Sequence, residues 1–476
     1  MSLPILLDDA LAAAPDGFAL RLSLPWIRSL PVASLSDLEV SIDGAAVTDL
    51  RSGSDGEWWF LQDRLVVSGP HPLDGGPHEV AVSFRLAIPY LQAGPDAPLT
   101  LPFHAQRTLT ADAAGPAASA GRRARSAPRK AEPGRDLPSA WALAASAFNW
   151  TPEVVRAERS AAEIAVDVVG EGVASVIEIE PGQMWRSFPE PADAEVDVFR
   201  ASLTAAGGTV SIVGASLDDW ASSGRRRDDD ERLAFLLPQL RAAHRVGAMG
   251  VRLPIGQAGP TLLARLVPVL RELDLVLFEE AQGRQAPSDP DTARALDAIA
   301  ALDDPHVRVL VDISMLMPAL PVSYLAAIEA AGLDRAFVDR VASEWRDPAT
   351  VGVLMSALRA GEVPPPARAL FMDMLVRFGR SDAAVLRDIL PLVGGFHLKF
   401  WDLDDADRRV SQPIRDLGAA LAGTDFAGTL CSEWGGHEWL EADATEMTRR
   451  HLALASTALA EGVAQHHDRA SGTTMP

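Results

Sequence analysis

The sequence predicts an α/β fold, a (β/α)8 TIM barrel preceded by a small all-β, sandwich-like domain. Three observations carry this. From Trp141 onward, short apolar strands alternate with helical segments. Before residue 112 the chain instead shows short alternating strands with turns between them. Between the two lies 113–138, AAGPAASAGRRARSAPRKAEPGRDLP, rich in Ala, Pro, Gly, Ser and Arg and almost free of large apolar residues.

In the first part the strand-like stretches are FALRLSLPWI, LEVSIDG, EWWFLQD, RLVVSG and HEVAVSFRLAIPY. Asp43-Gly44, Gly69-Pro70 and Gly75-Gly76-Pro77 punctuate them. Several short alternating strands separated by turns predict a sandwich or barrel of antiparallel strands, here residues 1–112. The composition of 113–138 predicts a flexible tether whose basic run is solvated. Residues 139–476 then hold eight strand candidates: 142–148, 175–181, 210–216, 250–255, 276–280, 307–314, 395–400 and 428–434. Helical patterns such as PEVVRAERSAAEIAVDVV and ERLAFLLPQLRAAHRVG separate them. Eight βα units predict the barrel, with an insertion of extra helices over about 319–390. A doubly wound open sheet is the alternative.

Bulk properties narrow the function. The net charge of −22 over 476 residues argues against nucleic acid as a partner, because phosphate neutralisation needs a basic face. No run of about 18 uncharged apolar residues predicts a membrane span. The N-terminus lacks a basic region and carries Asp8 and Asp9, unlike a secretory signal. Cys431 stands alone, so no disulfide forms within the chain and a reducing cytoplasm is expected. Only Lys130 and Lys399 are lysines among 43 basic residues. A lysine kept against such a bias points to a need for a compact ammonium, and Lys399 lies in HLKFW, beside a candidate ligand.

A (β/α)8 barrel builds its active site at the C-terminal ends of its strands. Four successive strands end in Glu280, Asp312, His397 and Glu433. Parallel strands lie about 4.8 Å apart, so these ends can converge on one ion. Three carboxylates and one imidazole form a hard, mixed donor set that suits Mn²⁺ or Mg²⁺ and accommodates Co²⁺, Zn²⁺ or Fe²⁺. An acid at a strand end also serves as a helix N-cap, and Asp312 before Ser314 fits that role; four at one depth favour the metal. Alternation lets only one of Glu279 and Glu280 face the interior. His437, on the Gly-rich loop of SEWGGH, is a candidate for chemistry. Arg252, Glu178, Glu180, Trp185 and Trp434 are candidates for the substrate pocket. Cys431 reads as packing, since nothing near it in sequence would activate a thiolate.

The segments LFEEAQG, LVDISMLMP, FHLKFWDLDD and LCSEWGGHE resemble the sugar phosphate isomerase/epimerase, or xylose-isomerase-like, barrels. Among these they look most like the α subunit of bacterial C-glycoside deglycosidases. GFALRLSLPWIRSLPVASLSDLEVSIDG, EWWFLQD and LAIPY are similar to the β subunit of the same enzymes. Subunits that are usually separate are thus expected here in one chain, β part first. The resemblance implies a metal-dependent lyase, Mn²⁺ first among the ions, that releases the aglycone of 3-keto glycosides through C2 deprotonation. It also implies an upstream glycoside 3-oxidase as metabolic partner and a homo-oligomer. An aldose–ketose isomerase or epimerase is the runner-up, and a non-catalytic sugar binder the third reading. The motifs put the catalytic positions at Gln282, Lys399 and His437. Gln282 is a departure, because the family has Glu-x-His where this chain has Glu280-Ala281-Gln282. Its base is therefore expected elsewhere, with His437, Lys399 and His104 as options.

Overall fold

The computed structural model describes residues 4–53, 56–94, 96–112, 137–222 and 224–470. The tether predicted over 113–138 lies outside these residues except for its last two, and so does Lys130.

The N-terminal part is built on two four-stranded antiparallel sheets, with a short antiparallel pair, Leu30–Pro31 and Trp58–Trp59, beside them. The strands are β1 (Leu11–Ala14), β2 (Gly17–Ser23), β3 (Leu35–Ile42), β4 (Arg51–Gly53), β5 (Arg64–Gly69), β6 (Pro77–Gln92) and β7 (Pro98–Thr110). One sheet runs β1-β2-β5-β4; the other runs β7-β6-β3 and ends on the short strand Ala45–Ala46. Period-two patterning explains the pairing, since every second residue of a strand faces the same side. Phe18, Leu20 and Leu22 of β2, Leu65 and Val67 of β5, and Val80, Val82, Phe84, Leu86 and Ile88 of β6 are all buried in one shared core.

Eight parallel strands then close into a barrel: β8 (Trp141–Ser146), β9 (Val176–Ile179), β10 (Thr209–Val213), β11 (Gly250–Pro254), β12 (Val276–Ala281), β13 (Val307–Asp312), β14 (Val393–Phe400) and β15 (Gly428–Trp434). β15 pairs with β8, so the sheet has no free edge. Each strand starts within two residues of its expected position. The helical pattern over 152–169 is broken into two helices, Thr151–Val155 and Ala161–Gly170. Ala157 adopts a positive φ of 53°, and Ser160 starts the second helix through a capping box with Glu163.

The insertion expected between the sixth and seventh strands is present. Helices Val322–Ala330, Arg335–Ser343, Ala349–Ala360 and Arg368–Val376 gather around a second core that includes Tyr324, Trp345, Phe371, Phe378 and Trp401. Gly379 N–H donates to Ser314 O (2.8 Å), just past the end of β13, which ties the insertion to the rim.

The sandwich docks on loops at the C-terminal ends of the barrel strands. Ser29 Oγ donates to Gly182 O (2.8 Å), and Gln183 Nε2 donates to Ile27 O (2.8 Å). Gln62 Nε2 reaches Val154 O and Arg159 O, each at 2.8 Å. Arg28 pairs with Asp218, and its guanidinium lies 4.1 Å from the centre of the Tyr90 ring and 5.3 Å from that of Phe188. Asp218 is fully buried, and burial raises its carboxyl against the pull of Arg28. Arg28→Met leaves that acid without its cation, so a loss of about 3–5 kcal/mol is expected in denaturant unfolding. An unchanged midpoint would show that the pair does not hold the two parts together.

Candidate active site

Strand alternation turns Glu280 inward at the end of β12, while Asp312 closes β13 and pairs in register with His397 of β14. Lys399, two residues further along β14, stands opposite Glu433 of β15. One ligand atom each from Glu280, Asp312, His397 and Glu433 lies within 4.8 Å of the others, and all four residues are buried. His397 Nδ1 is 2.8 Å from Glu280 Oε1 and 3.2 Å from Glu433 Oε2. Its Nε2 is 3.0 Å from Glu178 Oε2. A metal-binding imidazole uses one nitrogen for the ion and gives the other N–H to a carboxylate, which is the arrangement available here.

One buried atom of this group, Asp312 Oδ2, has no hydrogen-bond partner, and His397 Nδ1 faces only the carboxylates of Glu280 and Glu433. Buried lone pairs of that kind are costly unless something meets them. A divalent ion fits: the donors are hard oxygens and one imidazole, and the negative charge is concentrated. Asp312 also fills the capping role, since Ser314 N–H donates to its Oδ1 (2.7 Å). The other oxygen stays free for the ion.

The charges hold one another. Burial opposes ionisation of Glu280, but Arg252 and His397 outweigh it and lower its carboxyl. Burial likewise opposes ionisation of Glu433, which Lys399 and His397 pull far below the usual range. At Asp312 burial wins, and its carboxyl rises to about 6. Arg252, from β11, grips three acids: Nε to Glu178 (2.8 Å), Nη2 to Glu180 (2.6 Å) and Nη1 to Glu280 (2.7 Å). Glu178 is thereby enclosed between Arg252 and His397, on the far side of the imidazole from Glu280.

Lys399 Nζ donates to Glu433 Oε2 (2.9 Å) and lies 5.1 Å from the centre of the Phe148 ring. Beside it, His437 packs 5.0 Å from Phe148 and edge-on to Trp434 at 5.5 Å. His437 is buried, and neither ring nitrogen has a hydrogen-bond partner. Burial lowers its imidazole to about 4, which keeps it neutral at pH 7. Hydrogen bonds tie the rim together here. Asn149 Oδ1 accepts from Trp434 N–H (2.7 Å), and Trp434 Nε1 donates to Trp401 O (2.8 Å).

The remaining expected residues lie further out or deeper. Gln282 has an exposed side chain on the turn after β12, and its backbone N–H donates to Gln285 (3.1 Å). Trp185 is buried behind the short helix Pro181–Met184. His104 is exposed on β7. Glu279 points away from the ligand set, with one oxygen accepting from Gly256 N–H (2.9 Å). Burial raises the Cys431 thiol well above its ordinary value, as packing requires and a nucleophile does not. Sequence reasoning missed Arg377. It comes from the insertion, pairs with Glu438 (2.5 Å) and exerts its field on Glu433, Lys399 and His437.

No family model matches the chain. It is 28% identical over 308 residues to a C-glycoside deglycosidase alpha subunit of Arthrobacter globiformis, covering 62% of this chain and 86% of that one. A match that long must lie largely in the barrel. It is 37% identical over 103 residues to the 3′-dehydrocarminate deglycosidase beta subunit of a Microbacterium species, covering 18% of this chain and 78% of the relative. A C-glycoside deglycosidase beta subunit of Arthrobacter globiformis is 33% identical over 90 residues, covering 15% of this chain and 69% of that subunit. The chain belongs to the C-glycoside deglycosidase family. Two regions named as separate subunits in those relatives are joined in this deglycosidase-family chain, and the sandwich clasps the barrel at the C-terminal ends of its strands. Among the described residues no helix is long and apolar enough to cross a membrane.

Proposed function

We propose that this chain releases the aglycone of 3-keto C-glycosides by removing the C2 proton and eliminating the group at C1. The convergence of Glu280, Asp312, His397 and Glu433 beside the unpartnered His437 carries the reading. A ketone at C3 acidifies the C2 hydrogen, and the charge left by deprotonation must be held.

A divalent ion on the four ligands, Mn²⁺ before Mg²⁺, Co²⁺ or Zn²⁺, would supply Lewis acidity toward the sugar's neighbouring oxygens. Lys399 adds a fixed positive charge beside Glu433 that favours an oxygen gaining negative charge. His437 is neutral, enclosed and free at both nitrogens, so it takes the C2 proton. It replaces the base that Gln282 does not supply. Glu178 fixes the tautomer and orientation of His397 through Nε2, and Arg252 holds Glu178 and Glu280 in place. Trp434 and Phe148 keep water from the imidazole.

The substrate must arrive already oxidised, so an upstream glycoside 3-oxidase precedes this step. The test offers a C-glycoside and its 3-keto form side by side. Free aglycone is expected from the keto form alone. Equal release from both forms sinks the reading, as does epimerisation of a free keto sugar with no aglycone released from the glycoside.

A further inference from the structure

We propose that Glu180 is the acid that hands a proton to the aglycone carbon as its bond to the sugar breaks. This rests on the deglycosidase reading above, and it assigns the second of the two proton transfers that the elimination needs.

The case starts from how the acids around the ligand set are used. Glu280, Asp312 and Glu433 belong to that set, and Glu178 is bound by both His397 and Arg252. Glu180 belongs to neither group. Its hydrogen bond is to Arg252 Nη2 (2.6 Å). Its side chain is 23% exposed, against 0% for Glu178, 3% for Glu280 and 7% for Glu433, so it alone among them keeps a substantial solvent-facing surface. It sits one residue past β9, at the N-cap of the helix Pro181–Met184.

The neighbouring strand makes room for it. A Cβ on Gly214, just past β10, would fall 2.3 Å from Glu180 Oε1 and 2.5 Å from Oε2. The carboxylate therefore rests against bare backbone, in the space a side chain would take. Gly214 is itself held by its N–H to Ile179 O (2.8 Å), which keeps that surface next to the carboxylate. One edge of Glu180 meets solvent, but the protein around the rest of it desolvates the carboxyl and, with the neighbouring acids, raises it to about 7 against the pull of Arg252, so a protonated fraction exists at neutral pH. His437, neutral and free, is a proton acceptor and not a donor. Acid and base are thus different side chains on different strand ends.

The step balances without a co-reactant. His437 takes the proton from C2. The C2–H electron pair is held first as the enolate of the C3 ketone, and then forms the C1=C2 bond as the C1–aglycone bond breaks. That bond's pair goes to the aglycone carbon, which takes the proton of Glu180. The products are the protonated aglycone and a 1,2-unsaturated 3-keto sugar. Glu180 is left as carboxylate and His437 as imidazolium, and exchange with solvent resets both. Nothing is oxidised or reduced overall.

The test is Glu180→Gln, which keeps size and the Arg252 contact but holds no transferable proton. Aglycone release from a 3-keto C-glycoside and deuterium wash-in at C2 in D₂O are measured together, with bound metal counted in each protein. Release is expected to fall about a hundredfold or more while C2 exchange persists and metal content is unchanged. Wild-type release should decline on the alkaline side of neutrality, and that limb should be missing in the variant. Gly214→Ala, which pushes the carboxylate aside, should give the same split, and Glu180→Asp should restore part of the release. Release within threefold of wild type in Glu180→Gln overturns the assignment. Loss of exchange and release together also overturns it, because Glu180 would then be the base. A wild-type protein that releases no aglycone at all defeats the deglycosidase reading, and this role with it.

Discussion

Replacing Glu433 with Gln, or His397 with Ala, is expected to cut aglycone release by about three orders of magnitude or more. Lewis-acid stabilisation of transition-state charge is worth several kcal/mol, and about 1.4 kcal/mol corresponds to a decade in rate. Glu433 and His397 each contribute an atom to the cluster that would hold the ion, and each contacts another member of it. Glu433→Gln keeps the volume and leaves an oxygen for Lys399, so the barrel should stay folded. His397→Ala also removes the partner of Glu178 Oε2, and some loss of stability should accompany the loss of activity. Release within tenfold of wild type in either variant, at equal protein and without added metal, would contradict the proposed ligand set.

His437→Phe should lower the rate by about a thousandfold with metal content unchanged, within the range for losing a general base. The ring is enclosed by Phe148 and Trp434, so a phenyl group fits without exposing a charge. C2 exchange and release should fall together, unlike the split expected at Glu180. The sign of the pH effect follows from burial, which holds the imidazole near 4. The base form therefore persists as pH falls through 6.5, where an exposed histidine would already be protonated. Its loss should appear only as pH approaches about 4. Full exchange in His437→Phe would move the base to another residue.

Much of this could be read in the chain because barrel strands are local objects. An apolar run of five to eight residues between helical patterns is visible at β12, β14 and β15 without any tertiary knowledge. The acid or imidazole at each strand end then places itself, since the fold brings those ends together. The arrangement around Arg252 could not be read. Its acids lie 74, 72 and 28 residues away in sequence, and only barrel closure makes them neighbours. Glu178 and Glu180 share a face by alternation, so the sequence alone does not separate the enclosed acid from the open one. The difference comes from His397 below and Gly214 beside them. Arg28 and Asp218, 190 residues apart, were likewise invisible, as was Arg377 within the inserted helices. The helical pattern over 152–169 failed for a local reason. The capping box at Ser160 and Glu163 starts a new helix inside an apolar periodicity that looks continuous.

The reading depends on an ion held between β12, β13, β14 and β15. Protein stripped with a chelator and titrated with Mn²⁺, followed by electron paramagnetic resonance, measures that binding without reference to turnover. One tight Mn²⁺ per chain is expected, lost in Asp312→Asn, and aglycone release should return in step with occupancy. Binding that Asp312→Asn leaves intact, or full turnover in the stripped protein, would contradict it.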